Sequence, residues 1–259
     1  MSKIIALLSW YDESPSWLAS CVASVAPHVD HIVAVDGAYA HFPDARARSE
    51  RLQAETIQAT AEGAGIGCTV HRPQHYWVDG EVEKRTTMFR LGQALRNSFD
   101  DWYWIIDADC VVTHCPGDLR HRLAETEHNA VEVTLWERRD YLGDVPDVAR
   151  SMPLPNAGGQ RNRCLFRAMR DMQVIGAHYV YGGFDADGEW HYTWGHGAMN
   201  VDEADYFGDL QVEHRSIWRD AYRRNMAKDY YTIRDELGIE RVTPRGDNGR
   251  LQPVEVKRT

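Results

Sequence analysis

Two aspartates one residue apart, Asp107 and Asp109, follow a run of large apolar side chains in the segment WYWIIDADCVV. Alternation along an extended chain points both the same way. Carboxylates held that close repel unless a cation neutralises them. Mg²⁺ or Mn²⁺ is hard, takes oxygen ligands and typically joins carboxylates to substrate phosphates. The competing use is an exposed turn whose Asp side chains bond to the backbone. The apolar run before the pair favours the cation. Far along the chain, His214 follows a short apolar and acidic stretch and opens a basic helix. Imidazole is a good third ligand for Mn²⁺ beside carboxylates. Arg215, with Arg219, Arg223, Arg224 and Lys228 after it, could neutralise a diphosphate. The alternative is a solvated helix face with pairs such as Asp220 and Arg224.

Further candidates lie between these. Lys84 and Arg85 open a long helix, where cations are unfavourable. They suit a phosphate group or an Asp side chain, or else a local pairing with Glu81. Arg161 and Arg163 follow a Gly-Gly pair, as in a mobile phosphate-binding loop or a plain basic strand. Trp190, His191, Trp194 and His196 precede Asp202, Glu203 and Asp205. Aromatics beside carboxylates suit sugar or base stacking, with Asp202 or Glu203 as general base; aromatic core packing is the other reading. Cys110 and Cys115 flank His114, but no second ligand pair follows at zinc-site spacing.

The elements that must position these residues alternate. Residues 3–9, 31–35, 67–71, 102–106 and 130–136 read as strands. Ser14 and Pro15 cap and start a helix, and helices are expected over 44–62, 81–99 and 216–237. Residues 139–210 read as short strands and loops, and 242–259 as an extended tail. This predicts an α/β, Rossmann-like, mostly parallel open sheet flanked by helices, with a loop-rich acceptor half and a C-terminal helix. Ligands of such sheets sit beyond the carboxyl ends of the strands. Tyr11–Glu13, Asp36 and Asp107–Asp109 all fall there.

Taken in order, SWYDESPSWLASCVASVAPHVDHIVAVDG, EKRTTMFRLGQAL and DWYWIIDADCVV resemble the nucleotide-sugar-dependent glycosyltransferases of the GT-A fold, the family-2-like group. The resemblance covers residues 3–115, and beyond them only His214. It implies that Tyr11, Glu13 and Asp36 contact the nucleoside and that Asp107 reaches the ribose or the metal. Asp109 binds the metal, and His214 completes that site. The segment after His214 would close over the donor. The second-strand loop reads Asp-Gly-Ala-Tyr in place of the commoner Asp-Asp-Gly-Ser, and no clear Glu-Asp pair marks a base, so stereochemistry stays open.

The expected activity is therefore transfer of a sugar from a nucleoside diphosphate donor, with UDP favoured through the resemblance and Mn²⁺ or Mg²⁺ as cofactor. The acceptor stays open among small molecules, glycans and modified DNA bases. The rival enzyme is a sugar-phosphate nucleotidyltransferase, which wants a glycine-rich loop after the first strand; this chain has no glycine before Gly37. A non-catalytic carbohydrate- or nucleic-acid-binding protein could use the nine tryptophans but has no need of strand-end carboxylates.

The 259 residues read as one catalytic domain over 1–214, with a donor half to about 115 and an acceptor half from 116, then a basic segment over 215–259. Net charge is −10, divided as −14 before Arg215 and +4 from it onward (11 Lys and Arg against 7 Asp and Glu), which argues against broad duplex binding. Five scattered cysteines fit a reducing compartment. No apolar run is long enough to span a bilayer, so the expected location is cytoplasmic.

Overall fold

A computed structural model of the chain describes residues 2–42, 45–137, 160–175, 180–194 and 204–215. The apolar run IIALLS forms β1 (Ile4–Ser9), followed by α1 (Pro15–Val25) with Pro15 in its first turn. Leu18, Cys21, Val22 and Val25 give α1 its buried face, and a 3₁₀ turn containing Pro27 ends it. Then come β2 (His31–Val35), α2 (Arg51–Gly63), β3 (Gly67–His71), α3 (Gly80–Gln93) and β4 (Trp102–Asp107). The second half contains β5 (Cys110–His114), α4 (Leu119–Glu125), β6 (Ala130–Glu137) and β7 (Gln160–Arg167). It continues with β8 (Arg170–Val174), β9 (Val180–Phe184), β10 (Trp190–Trp194) and β11 (Asp205–His214).

Eight strands make one mixed sheet in the order β3-β2-β1-β4-β7-β6-β11-β5, while β10-β9-β8 form a small second sheet. The fold is therefore α/β. β3, β2, β1 and β4 run parallel, β7 opposes both β4 and β6, and β11 runs parallel to β6. Two reversals restore the direction, so β11 ends at the same edge of the sheet as β4. Strands from both halves of the chain thus share one sheet. Its two faces carry separate cores: one joins α1 and α2 to Trp102, Trp104 and Leu210, the other joins α3 to Tyr103, Phe166 and Tyr181.

The link from β4 to β5 shapes this sheet. β5 pairs with β11, four positions from β4 in strand order. On a flat sheet that separation is roughly 19 Å at about 4.8 Å per strand. Only Ala108 and Asp109 lie between the two strands. Three Cα steps span at most about 11 Å. The sheet must therefore curl, bringing its last strand back toward its middle.

Several sequence expectations are revised. α2 begins at Arg51 rather than residue 44, because Ser49 donates through its backbone N–H and its hydroxyl to Asp36, which holds the approach to the helix across the end of β2. α3 stops at Gln93 rather than 99, where the Asp101 carboxylate accepts from the N–H groups of Asn97 and Ser98 and offers the backbone a competing turn. β5 and α4 had no counterpart in the pattern. His214 closes a ten-residue strand instead of opening a helix. The expected helix over 216–237 and the tail lie outside the described residues.

Candidate functional site

Asp107 and Asp109 occupy different environments, because β4 ends at Asp107 and the strand alternation stops there. Asp107 is 41% exposed, and one of its oxygens accepts from the Arg85 guanidinium at 2.9 Å. Arg85 also donates to Glu81 at 2.6 Å, one turn earlier on α3, so a buried Glu81–Arg85 pair aims one nitrogen at Asp107. Asp109 sits in the turn and is 3% exposed. One of its oxygens lies 3.1 Å from Nε2 of His214, so residues 105 positions apart share one point. Curling of the sheet makes that meeting possible: Cys110 begins β5 and pairs directly with His214 at the end of β11. The N–H of Arg215 donates to the Asp109 carbonyl at 2.8 Å, and its guanidinium donates to Glu213 at 2.6 Å.

Carboxylate and imidazole that close together are a donor pair that a divalent transition ion fits. The ligand atoms of Asp109, Cys110 and His214 lie within 4.8 Å of one another; Asp107 stands outside this group. The expected trio of Asp107, Asp109 and His214 is thus found with Asp107 held by Arg85 instead.

The curl encloses a cavity of about 130 Å³ lined by Arg85, Asp107, Cys110, Arg163, Tyr181 and His214, among others. At about 30 Å³ per water, it has room for a phosphate-sized group. Drug-sized ligands occupy about 300 Å³ or more. Arg163 lies in its wall, 4% exposed, and donates to Glu132 at 2.8 Å and to Thr193 of β10. Arg161 is more open, stacked over the Tyr206 ring at 4.2 Å and 3.6 Å from Glu132. The two arginines therefore belong to a β7 strand braced by an acidic partner on β6, the plain-strand alternative. Burial raises the thiol of Cys110 well above its ordinary range, and the charges of Asp109 and Asp107 add to that. Burial likewise raises the Tyr181 phenol.

The residues expected around a nucleoside are internally engaged. Asp36 is completely buried and accepts from Gly37 N–H at 2.7 Å, Ser49 N–H at 3.0 Å, the Ser49 hydroxyl at 2.5 Å and Arg72 at 3.3 Å. Its carboxylate organises the loop. Gly37 has φ +114°, and an added Cβ there would sit 2.6 Å from Pro73 and 2.7 Å from Trp77. Lys84 is 2% exposed and donates to the carbonyls of Trp10 at 2.6 Å and Gly37 at 2.9 Å, tying the ends of β1 and β2 to α3. The Tyr11 hydroxyl accepts from Arg46 N–H at 3.0 Å. Glu13 is 5% exposed, and its N–H donates to Gln53 at 3.1 Å.

On the acceptor side, Trp190 packs edge-on against Phe184 at 5.0 Å within the small sheet. Trp194 ends β10 opposite Val180, and its side chain lies outside the described residues. His196, Asp202 and Glu203 also lie outside them. Sequence reasoning misses Cys110, which it sets beside His114 and Cys115, although its signal is adjacency to Asp109. Glu81 pairs with Arg85, the local alternative that the sequence offers. No protein-family model matches the chain, and no curated protein matches it.

Proposed function

We propose that the chain is a metal-dependent glycosyltransferase of GT-A type, moving a sugar from a nucleoside diphosphate donor to a small molecule, a glycan end or a modified DNA base. The observation that carries this reading is the convergence of Asp109 and His214, 3.1 Å apart, at the strand-end edge that also bears Asp107. The parallel block β3-β2-β1-β4 followed by an antiparallel β7 supports it, since ligands of such sheets gather at the carboxyl ends.

Asp109 and His214 would hold the ion. When bound, a divalent ion neutralises the leaving diphosphate, the charge that otherwise opposes departure. Arg85 keeps Asp107 oriented toward the cavity, and Glu81 keeps Arg85 in place. The Arg215–Asp109 backbone bond fixes where the chain leaves β11, beside the residues that would hold the ion. The cavity of about 130 Å³ has room for a phosphate group of a donor and not for the whole donor. The nucleoside would lie along the strand ends toward Tyr11 and Glu13. UDP as donor rests on the resemblance, and Asp202 or Glu203 is retained as the proposed base.

UDP-, GDP- and dTDP-sugars, each with and without Mn²⁺, test this by thermal shift and by donor hydrolysis. A ligand at one hundred times its dissociation constant stabilises by about 2.7 kcal/mol. That moves the midpoint by several degrees for a chain of this size. A shift that needs both nucleotide and ion supports the proposal. No shift with any nucleotide overturns it. A response to nucleoside triphosphates alone favours the nucleotidyltransferase.

A further inference from the structure

We propose that Cys110 is a third protein ligand of the ion at Asp109 and His214, and that the site therefore prefers Zn²⁺ or Co²⁺ to Mg²⁺. This rests on the reading of Asp109 and His214 as an ion site and names the metal class that site selects.

Three observations place the thiol there. Cys110 and His214 are directly paired across the antiparallel β5–β11 ladder, and such partners project from the same face of a sheet. Both line the same cavity. Asp109 lies between them, one carboxylate oxygen 3.1 Å from His214 Nε2 and the other 4.0 Å from Cys110 Sγ. Around a tetrahedral ion, with bonds of about 2.0–2.1 Å to N and O and about 2.3 Å to S, oxygen and nitrogen stand roughly 3.3 Å apart and oxygen and sulfur roughly 3.6 Å. The His214 separation is close to the first of these, while the Cys110 separation, made to the other carboxylate oxygen, is about 0.4 Å longer than the second; the ligand atoms of all three residues lie within 4.8 Å of one another.

The chemistry of the donors then selects the ion. Mg²⁺ demands near-octahedral oxygen coordination and gains nothing from a thiolate. A carboxylate, an imidazole and a thiolate form an N/O/S set, which suits Zn²⁺ and Co²⁺. Three protein ligands would leave a fourth position for water or substrate, and two of the three, Cys110 and His214, line the cavity. As the sulfur–metal bond forms, the thiol proton leaves to solvent. Asp107 is not needed as a ligand, in keeping with its bond to Arg85.

Co²⁺ titration of the full chain, freed of metal by chelation, reads the sulfur directly. The expected result is one equivalent bound, with a thiolate-to-cobalt charge-transfer band in the near ultraviolet. Zn²⁺ should abolish the band stoichiometrically, and a hundredfold excess of Mg²⁺ should leave it unchanged. Cys110→Ser should lose the band while circular dichroism stays native. Because that variant could fail to fold, X-ray absorption of the Zn²⁺-loaded wild type supplies a second reading, with a sulfur scatterer expected at about 2.3 Å. Cobalt bound without the band, a band that survives in Cys110→Ser, or a zinc shell without sulfur each overturns the proposal. These failures are separable from failure of the glycosyltransferase reading, which shows as a metal-loaded protein that binds no nucleotide.

Discussion

Replacing Asp36 by alanine separates a carboxylate that shapes the fold from one that reads a ligand. The side chain is fully buried, and two buried backbone N–H groups, those of Gly37 and Ser49, donate to it at 2.7 and 3.0 Å. Each loses its acceptor in Asp36→Ala, at about 1–3 kcal/mol apiece. The total is about 2–6 kcal/mol, before any contribution from the Ser49 hydroxyl or the half-buried Arg72. Marginally stable domains have about 5–15 kcal/mol in all, so the loss should be plain in urea unfolding, as a lower midpoint with an unchanged slope. Ser49→Ala should cost less, because the backbone donor remains, and the double variant should cost less than the sum of the singles. A loss below about 1 kcal/mol in Asp36→Ala would refute this reasoning and return Asp36 to the ligand side of the site.

Two further outcomes follow from the same geometry. Arg85→Met leaves the Glu81 carboxylate, 9% exposed, without its cation and should cost about 3–5 kcal/mol by denaturant unfolding, with part of that recovered when Glu81→Gln is added. Burial lowers the imidazoles of His28, His31 and His71, helped by Arg120 at the first and Lys3 at the second. Below the ordinary histidine value of about 6.5 the unfolded chain takes up protons before the folded one, so unfolding free energy should fall as pH drops from 7.5 to 5.5 and level off above about 7. His31→Gln should flatten that slope; a slope of opposite sign contradicts the assignment.

β1, β2 and β4 were legible because each is a short, largely apolar run bounded by turn residues, and β2 and β3 fall at the expected bounds. The ends of α1 were legible in Ser14, Pro15 and Pro27, but the start of α2 and the end of α3 were not, because Ser49 and Asp101 are engaged by carboxylate–backbone bonds that periodicity does not encode. Order along the chain pointed to the edge where Asp107, Asp109 and His214 gather. It could not show that β5 returns to β11, since pairing across such a distance leaves no local signature. For that reason the sequence sets Cys110 beside its neighbours rather than beside His214, and leaves Asp107 between the ribose and the metal instead of with Arg85. Lys84 was noticed for its awkward place near a helix start, but its acceptors, the carbonyls of Trp10 and Gly37, belong to the ends of two other strands. Only the folded arrangement supplies them.

The central claim is that Asp109 and His214 together hold an ion on which nucleoside diphosphate binding depends, and calorimetric titration of UDP into the metal-free and Mn²⁺-loaded protein tests it most directly. The account predicts binding in the presence of Mn²⁺ that weakens at least tenfold without it, about 1.4 kcal/mol. Asp109→Asn and His214→Ala should show the same weakening while retaining native circular dichroism. UDP affinity that is equal with and without the ion, or equal in wild type and both variants, would contradict it.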